Sequence, residues 1–437
     1  MSLALLMAIV TLAGILAGYR TGFVLAGVAA LFILISDLPI AYFNLLVSRI
    51  YANVLSNWLL VAIPMFIFMG LVLEKSGVAE HTLRACQRML GGSGAGMGLS
   101  VVIVGVLLAA SSGIVGASVV LLTLLALPRL TEAGYGPRAS SGLIASSGTL
   151  AILIPPSVML IVLGDQLTVP VPSMFAGALG PGLLLIVLYL VFVLWQGRNL
   201  PRSPAPKDGP TGALAVVILA REILPLILLI VAVLGSILMG IATPTEAAGL
   251  GAFGAILVAA LYGRFRPRQI FLAARETVVT TSMVLMVMIG ATCFAAVFRG
   301  LGGDDMIREG LDAIGGGPWV SLIAVMAFIF VLGFVLDWLE ITLILMPILA
   351  PVIVLMDFGL GLTPQQTLIW FGLLVAVNLQ TSFLTPPFGF SLFYMRGAAA
   401  GKLSNRDVYL GVAPFIALQL VALGLMMAVP ALVTVFL

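Results

Sequence analysis

Long apolar runs, separated by short polar connectors, repeat along the whole chain. Runs comparable in length with a bilayer crossing lie near 3–19, 22–36, 57–74, 98–128, 141–165, 172–196, 219–242, 245–262, 277–299, 319–357, 366–395 and 408–436. The connector 197–212 is the least apolar of all and divides the chain almost in half, as a linker would. The pattern predicts an all-α polytopic membrane protein. The first run lacks a basic leader and a small-residue cleavage site, so we interpret it as a membrane helix rather than a signal peptide.

Two of the runs are too long for one crossing and contain a break near their centre. The run 98–128 is broken by SSGIVGAS (111–118), and the run 319–357 by GFVLDWLEIT (333–342). Each arm has only ~15 apolar residues, whereas a full crossing needs ~20. We therefore predict two re-entrant helical hairpins, with a pair of ordinary spans joined by a tight turn as the alternative.

Each predicted hairpin precedes a run that is interrupted by a pair of prolines. The run 141–165 contains IPPS (154–157), the run 366–395 contains TPPF (385–388), and a Ser/Thr-rich stretch precedes each pair. Placing the basic clusters in the cytoplasm makes the first hairpin open inward and the second outward. The same charges fit a topology without re-entrance. Two hairpins and two discontinuous helices in opposite orientations form an inverted repeat, which is typical of secondary transporters with a site at the bilayer midplane.

Composition excludes several other classes of protein. The chain is 62% hydrophobic and 8% charged, with a net charge of +3 and a mean hydropathy of +1.25. Its basic residues lie in short loops, which indicates membrane orientation rather than nucleic-acid binding. Cys86 and Cys293 have no metal or disulfide spacing, and no GxxxxGK[ST] motif supports ATP hydrolysis. An intramembrane hydrolase would need a His–Ser pair or two paired carboxylates, and a passive channel suits an inverted repeat poorly. No enzymatic activity is expected.

The four interruptions bring together most of the polar residues at membrane depth. Asp337 is the strongest candidate for a functional residue, since an ionisable side chain inside a membrane segment indicates function. DWLE (337–340) also fits a helix capping box, so cation binding and capping both stay open for Asp337. Each Ser or Thr taken alone fits a helix–helix hydrogen bond. Because the set is clustered symmetrically, we predict that it lines the substrate site: Ser118, Ser146, Ser147, Gly148, Thr149, Asn378, Gln380 and Ser382.

Several motifs occur in an order that resembles a known family. They are IPMFIFMGLVLEKSGVAE (63–80), SSGIVGAS, GTLAILIPPS, FAGALGPGLL (175–184), TPTEAA, LGFVLDWLEITLILMPILAPV (332–352) and LTPPFGFSLFYMRG (384–397). The ordered set resembles the large membrane subunit of tripartite ATP-independent periplasmic (TRAP) transporters. The version NLQTSFLTPPFGFSLFYMRG is most similar to the mannitol/chloroaromatic or 2-oxoacid branch.

The resemblance implies a sodium-driven elevator in the bacterial inner membrane, with sodium as the coupling ion and no other cofactor. It implies a separate four-helix membrane subunit and a periplasmic binding protein that delivers a small organic acid, usually a carboxylate. A self-sufficient sodium-coupled dicarboxylate or anion transporter is the alternative. The implied sodium ligands are Ser111, Ser112, Gly113, Asp337, Thr381 and Thr385. The expected domains are scaffold helices (1–90), a first transport half (91–170), connecting scaffold helices (171–300), a second transport half (301–400) and a C-terminal helix (401–437).

Overall fold

The computed structural model describes residues 2–90, 93–113, 115–198 and 213–437, without the side chains of Ser111, Ser112, residues 213–220 and Glu222. Most of the predicted linker 197–212 therefore lies outside the described residues. All regular secondary structure in the described part is helical, which confirms the predicted fold class.

The α-helices run in this order: α1 (Leu3–Leu16), α2 (Thr21–Ile35), α3 (Tyr42–Ile50), α4 (Ala62–Lys75), α5 (Val78–Leu90), α6 (Gly96–Ser112), α7 (Val115–Glu132), α8 (Pro137–Thr149), α9 (Val158–Gln166), α10 (Val171–Gly197), α11 (Ala213–Leu238), α12 (Pro244–Leu261), α13 (Pro267–Gly300), α14 (Gly303–Ile314), α15 (Gly317–Leu332), α16 (Trp338–Ile353), α17 (Pro364–Leu384), α18 (Phe390–Ala398), α19 (Asn405–Ala428) and α20 (Ala431–Thr434). A π-helical turn (Tyr51–Leu55) follows α3, and short 3-10 helices precede α4 (Trp58–Val61) and follow α8 (Leu150–Ile152). By length and hydropathy alone, seven helical stretches in the described residues can cross a membrane.

All four predicted interruptions are present. α6 and α7 form one hairpin, and α15 and α16 the other, while α8–α9 and α17–α18 are the two interrupted helices. The unwound parts are shorter than the sequence indicates. The polar stretch NLQTSFL (378–384), which precedes the proline pair of the second interrupted run, is helical up to Leu384. The predicted tip 333–342 is helical again from Trp338. The polar residues 378–382 therefore lie in the last turns of a helix, where the final carbonyls remain without a helical partner.

Three polar helices are missed by the apolar runs. They are α3, α5 and α14, each with apolar residues on one side only, such as Val78, Leu83 and Cys86 in α5. Such helices bury one stripe and leave the other faces polar, so their average hydropathy stays low. α5 and α14, with 13 and 12 residues, are not by themselves among the helices long and apolar enough to cross a membrane.

Helices α2, α4, α12 and α13 pack on one another and are called the frame below. α2 and α13 approach each other closely, since an added Cβ on Gly22 would lie 2.7 Å from the carbonyl oxygen of Met286. Gly290 has the reciprocal position, with its Cβ site 2.3 Å from the carbonyl oxygen of Gly22. Small residues at such crossings let membrane helices approach to backbone contact.

The two hairpins and the two interrupted helices pack together and are called the hairpin bundle below. α10 and α19 pack on this bundle, α19 mainly on α8. The bundle meets the frame along α13, which contacts α16, and along α4, which contacts α6. α13 has 34 residues, so at about 1.5 Å per residue it is about 51 Å long, which exceeds the hydrocarbon core of about 30 Å.

Candidate functional site

The tip of the second hairpin is built around a helix cap. Asp337 is the N-cap of α16 and accepts a hydrogen bond from the backbone N–H of Trp338 at 2.9 Å. Glu340 accepts the backbone N–H of Asp337 at 3.2 Å, so the predicted capping box is present. The other oxygen of Glu340 accepts the hydroxyl of Thr21 on frame helix α2. The cap therefore fixes the hairpin tip and ties it to the frame.

A cavity of about 410 Å³ lies between this tip, the first hairpin and the frame. The first residues of four helices line it: Val115 of α7, Val158 of α9, Trp338 of α16 and Phe390 of α18. Each of these helices begins at one of the four interruptions. A helix N-terminus carries about half a positive charge and backbone N–H groups that lack a helical partner. In α16 the first of these N–H groups is bonded to Asp337. Four helix N-termini at one cavity favour a negatively charged ligand.

Among the described lining residues of this cavity, Asp337 is the only charged one. Thr280 of α13 and Tyr394 of α18 add hydroxyl groups, and most of the remaining side chains are apolar. Gly113, which ends α6, also lines the cavity. It has a left-handed φ of 59°, and a Cβ there would lie 3.2 Å from the backbone nitrogen of Val158. Glycine lets the first hairpin tip approach the start of α9 in this conformation.

The cavity continues towards the predicted cytoplasmic side. A second cavity of about 340 Å³ shares Ala117 and Thr280 with it and is also lined by Arg275 and Glu276. Both charged residues are on the first turns of α13, beside the basic loop that the positive-inside rule places in the cytoplasm. The four helix starts thus face a path that leads inward along α13.

The eight residues predicted to contact substrate lie in the interior of the bundle. Asn378 donates a hydrogen bond to the carbonyl oxygen of Met326 at 2.7 Å, and Ser382 to that of Phe330 at 3.1 Å, which fastens α17 to hairpin arm α15. Ser118 and Gly148 are buried, Gly148 against Val119. None of the eight is among the lining residues of the 410 Å³ cavity.

The two interrupted helices meet through their polar residues. The amide nitrogen of Gln380 lies 3.5 Å from the hydroxyl of Thr149, which itself donates to the carbonyl oxygen of Ser146 at 2.9 Å. Ser146 donates to the carbonyl of Leu143 at 3.2 Å. The hydroxyl of Ser147 and the amide oxygen of Gln380 are buried without a hydrogen-bond partner among the described residues.

The six predicted sodium ligands fall into two places. Gly113 and Asp337 both line the cavity, whereas the side chains of Ser111 and Ser112 lie outside the described residues. Thr381 donates to the carbonyl of Val377 at 2.8 Å, and Thr385, the C-cap of α17, donates to the carbonyl of Thr381 at 2.8 Å. These hydroxyls cap carbonyls near the end of α17 and keep their own oxygens free to accept.

Comparison with known proteins now identifies the family. The profile of the tripartite ATP-independent periplasmic transporter, DctM component, matches residues 5–432. The chain belongs to this DctM family. It is therefore a TRAP transporter membrane subunit, not an enzyme, and a multi-pass protein of the bacterial inner membrane, as the ordered motifs predict.

Two relatives and one solved structure illustrate the match. The isethionate TRAP transporter permease protein DctMQ of Oleidesulfovibrio alaskensis is 28% identical over 93% of this chain, which spans only 62% of that protein. The C4-dicarboxylate TRAP transporter large permease protein DctM of Vibrio cholerae is 28% identical over 86% of this chain and 84% of its own length. The crystal structure of the Alcanivorax borkumensis YdaH transporter, reported to have an unusual topology, superposes with a TM-score of 0.62 at 17% identity, covering 91% of this chain and 89% of that one. That likeness concerns the fold alone.

Proposed function

We propose that this DctM-family subunit carries out sodium-coupled uptake of a small organic anion, most simply a carboxylate. The observation that carries the proposal is the convergence of four helix N-termini on one cavity whose only charged described residue is Asp337. The helix N-termini favour the binding of an anion, while the Asp337 carboxylate repels it. A cation at Asp337 removes this opposition, which makes anion binding depend on the cation.

The sodium ions would bind at the C-terminal ends of the same elements. The last carbonyls of α6, up to Gly113, and of α17, up to Thr385, are oxygen ligands of the kind a hard cation prefers. Ser111 and Ser112 would contribute at the first tip, Asp337 at the second, and Thr381 beside Thr385. In this arrangement the cation binds at the C-terminal helix ends, which carry partial negative charge, and the anionic substrate binds at the N-terminal ends, which carry partial positive charge.

The hairpin bundle would be the moving unit and the frame the fixed one, as in an elevator. One hairpin arm, α7, has 18 residues and is among the helices long and apolar enough to cross a membrane. The other three arms, α6, α15 and α16, have 17, 16 and 16 residues, or about 24–26 Å at about 1.5 Å per residue, which is short for a hydrocarbon core of about 30 Å. This length supports re-entrance. The path along α13 from the helix starts to Arg275 supports an inward-facing arrangement.

Substrate class and partners follow from the relatives by analogy. The two relatives above are named for isethionate, a sulfonate, and for C4-dicarboxylates, and both ligand types are small organic anions. The names DctMQ and large permease fit a separate small subunit for this chain, with a periplasmic binding protein as the third component.

Reconstitution tests the proposal. The binding protein encoded beside this chain is first screened against small carboxylates and sulfonates, and its labelled ligand is then offered to proteoliposomes containing both membrane subunits. We expect uptake only with an inward sodium gradient and the binding protein present. Uptake by this chain alone would instead support the self-sufficient transporter, and uptake without a sodium gradient would refute sodium coupling.

A further inference from the structure

Another cleft, called the outer cleft, lies at the other end of the contact between the frame and the hairpin bundle. It has a volume of about 550 Å³, within the range of small-molecule sites. One wall is formed by the last third of the frame helix α13 together with α3 and the π-helical turn that follows it. The opposite wall is formed by the end of α9 and by α16 of the hairpin bundle. None of the residues that line the cavity at Asp337 lines this cleft.

Among the described residues that line the outer cleft, three are charged: Arg49, Arg299 and Asp165. Both oxygens of Asp165 accept hydrogen bonds from neutral amides, from Asn57 at 2.7 Å and from Gln166 at 2.8 Å. Two arginines and one carboxylate leave a formal charge of +1 on the lining. The cavity at Asp337 has a formal charge of −1 on the same count.

The two arginines differ in their partners. The side chain of Arg49 is exposed and makes no hydrogen bond or salt bridge to a described residue, whereas Arg299 forms an ion pair with Asp304. The Nε of Arg299 lies 3.7 Å from a carboxylate oxygen of Asp304, and this nitrogen is buried without a hydrogen bond to a described residue. The other end of the Arg299 guanidinium donates to the carbonyl oxygen of Pro347 on α16. That carbonyl lacks its helical partner, since Pro351 has no N–H.

The position of these arginines is unusual for a membrane protein. The predicted topology puts the end of α13 and Asn57 on the periplasmic side, where basic residues are depleted. An exposed arginine without a carboxylate partner on that side, as Arg49 is, favours an anionic ligand.

We propose that the outer cleft is a receiving site for the transported organic anion, with Arg49 and Arg299 as its anion-binding residues. The identity of the occupant rests on the proposed function, and the site itself rests on the cleft and its charge. α13 forms the frame wall of both clefts, with Thr292 in the outer one and Thr280 in the inner one. These 12 positions correspond to about 18 Å along the helix, so the anion reaches the inner cavity by movement of the bundle past α13.

The test uses purified protein in sodium-free buffer, where the proposed inner site is not filled. Phenylglyoxal modifies arginine side chains, and peptide mass spectrometry follows Arg49, Arg299 and the exposed control Arg268, which lines neither cleft. We expect succinate or isethionate to slow the modification of Arg49 and Arg299 at least threefold relative to chloride at equal ionic strength, with Arg268 unchanged. Equal rates in all three salts, or equal slowing at Arg268, would overturn the proposal.

A second measurement links the site to transport. Arg49→Gln removes a charge from an exposed side chain without described contacts, so the fold is expected to tolerate it. The KM for uptake should rise about tenfold with kcat little changed, and Arg49→Lys should recover most of the loss. An unchanged KM in Arg49→Gln refutes the receiving site while leaving sodium-coupled uptake intact. If the wild-type protein shows no sodium-coupled uptake, but the organic anion still protects Arg49 and Arg299 from phenylglyoxal, the proposed function is refuted and the receiving site is not.

Discussion

Replacing Asp337 by asparagine should uncouple anion binding from sodium. A sphere of 410 Å³ has a radius of about 5 Å, so an anion at the cavity centre feels the Asp337 carboxylate with a repulsion of about 3 kcal/mol at an effective dielectric constant of about 20. This repulsion corresponds to a change in Kd on the order of 100-fold. Sodium at Asp337 would cancel it in the wild-type protein, whereas Asp337→Asn removes it permanently.

Asparagine is a suitable replacement because it caps helices as well as aspartate does. The hydrogen bond to the N–H of Trp338 can persist, so the tip of the second hairpin should keep its fold. The matched control is Glu340→Gln, which alters the neighbouring carboxylate of the same capping box but not a cavity-lining residue.

The assay is isothermal titration of the identified substrate in sodium chloride and in choline chloride at equal ionic strength. For the wild-type protein we expect sodium to tighten binding by one to two orders of magnitude. For Asp337→Asn we expect a difference of less than about threefold between the salts, and for Glu340→Gln a difference close to that of the wild type. A full sodium effect in Asp337→Asn would refute the electrostatic coupling.

Two further predictions concern packing and a buried thiol. Gly22→Ala should destabilise the frame by about 1–3 kcal/mol, because its new Cβ would lie 2.7 Å from the carbonyl oxygen of Met286. The control is Gly27→Ala in the same helix, whose new Cβ meets nothing within 4 Å, so this change should be neutral or stabilise the protein by up to about 1 kcal/mol. Melting temperatures in detergent compare the two variants. An equal effect of both changes would contradict the close contact between α2 and α13. Burial raises the pKa of the Cys86 thiol to about 11, which favours the neutral thiol over the reactive thiolate. Alkylation of Cys86 by iodoacetamide at pH 7 should therefore be at least about 100-fold slower than in the unfolded chain. The rate should rise about tenfold per pH unit up to pH ~11. A comparable rate in the folded and unfolded protein at pH 7 would show that Cys86 is accessible.

The interruptions of the fold could be predicted because their residues act directly on the backbone. Proline pairs remove N–H donors, and Gly113 adopts a left-handed conformation, so both appear in the sequence as breaks in an apolar run. The helices α5 and α14 were missed because apolar runs measure average hydropathy, whereas these helices carry their apolar residues at helical spacing. The spacing of Ala79, Leu83 and Cys86, at i, i+4 and i+7, is a usable signal for such a helix.

The candidate site was less predictable than the fold. The sequence draws attention to polar side chains, and those at Asn378 and Ser382 turn out to fasten α17 to α15. The residues at the cavity are Val115, Val158 and Phe390, which are apolar and contribute through their position at a helix start. A backbone N–H is present at every non-proline residue, so only the folded chain distinguishes those that face a cavity.

The proximity of opposite helix ends gives the proposed coupling its physical basis. At the first tip, α6 ends at Ser112, Gly113 follows, and α7 begins at Val115, so carbonyls that suit a cation and N–H groups that suit an anion are separated by a few residues. A displacement of the tip changes both sets together. In the proposed coupling, an ion that orders the carbonyl ends would also order the N–H ends for the substrate, in addition to neutralising Asp337. Because this coupling is reciprocal, the anion should raise the affinity for sodium by the same factor that sodium raises the affinity for the anion.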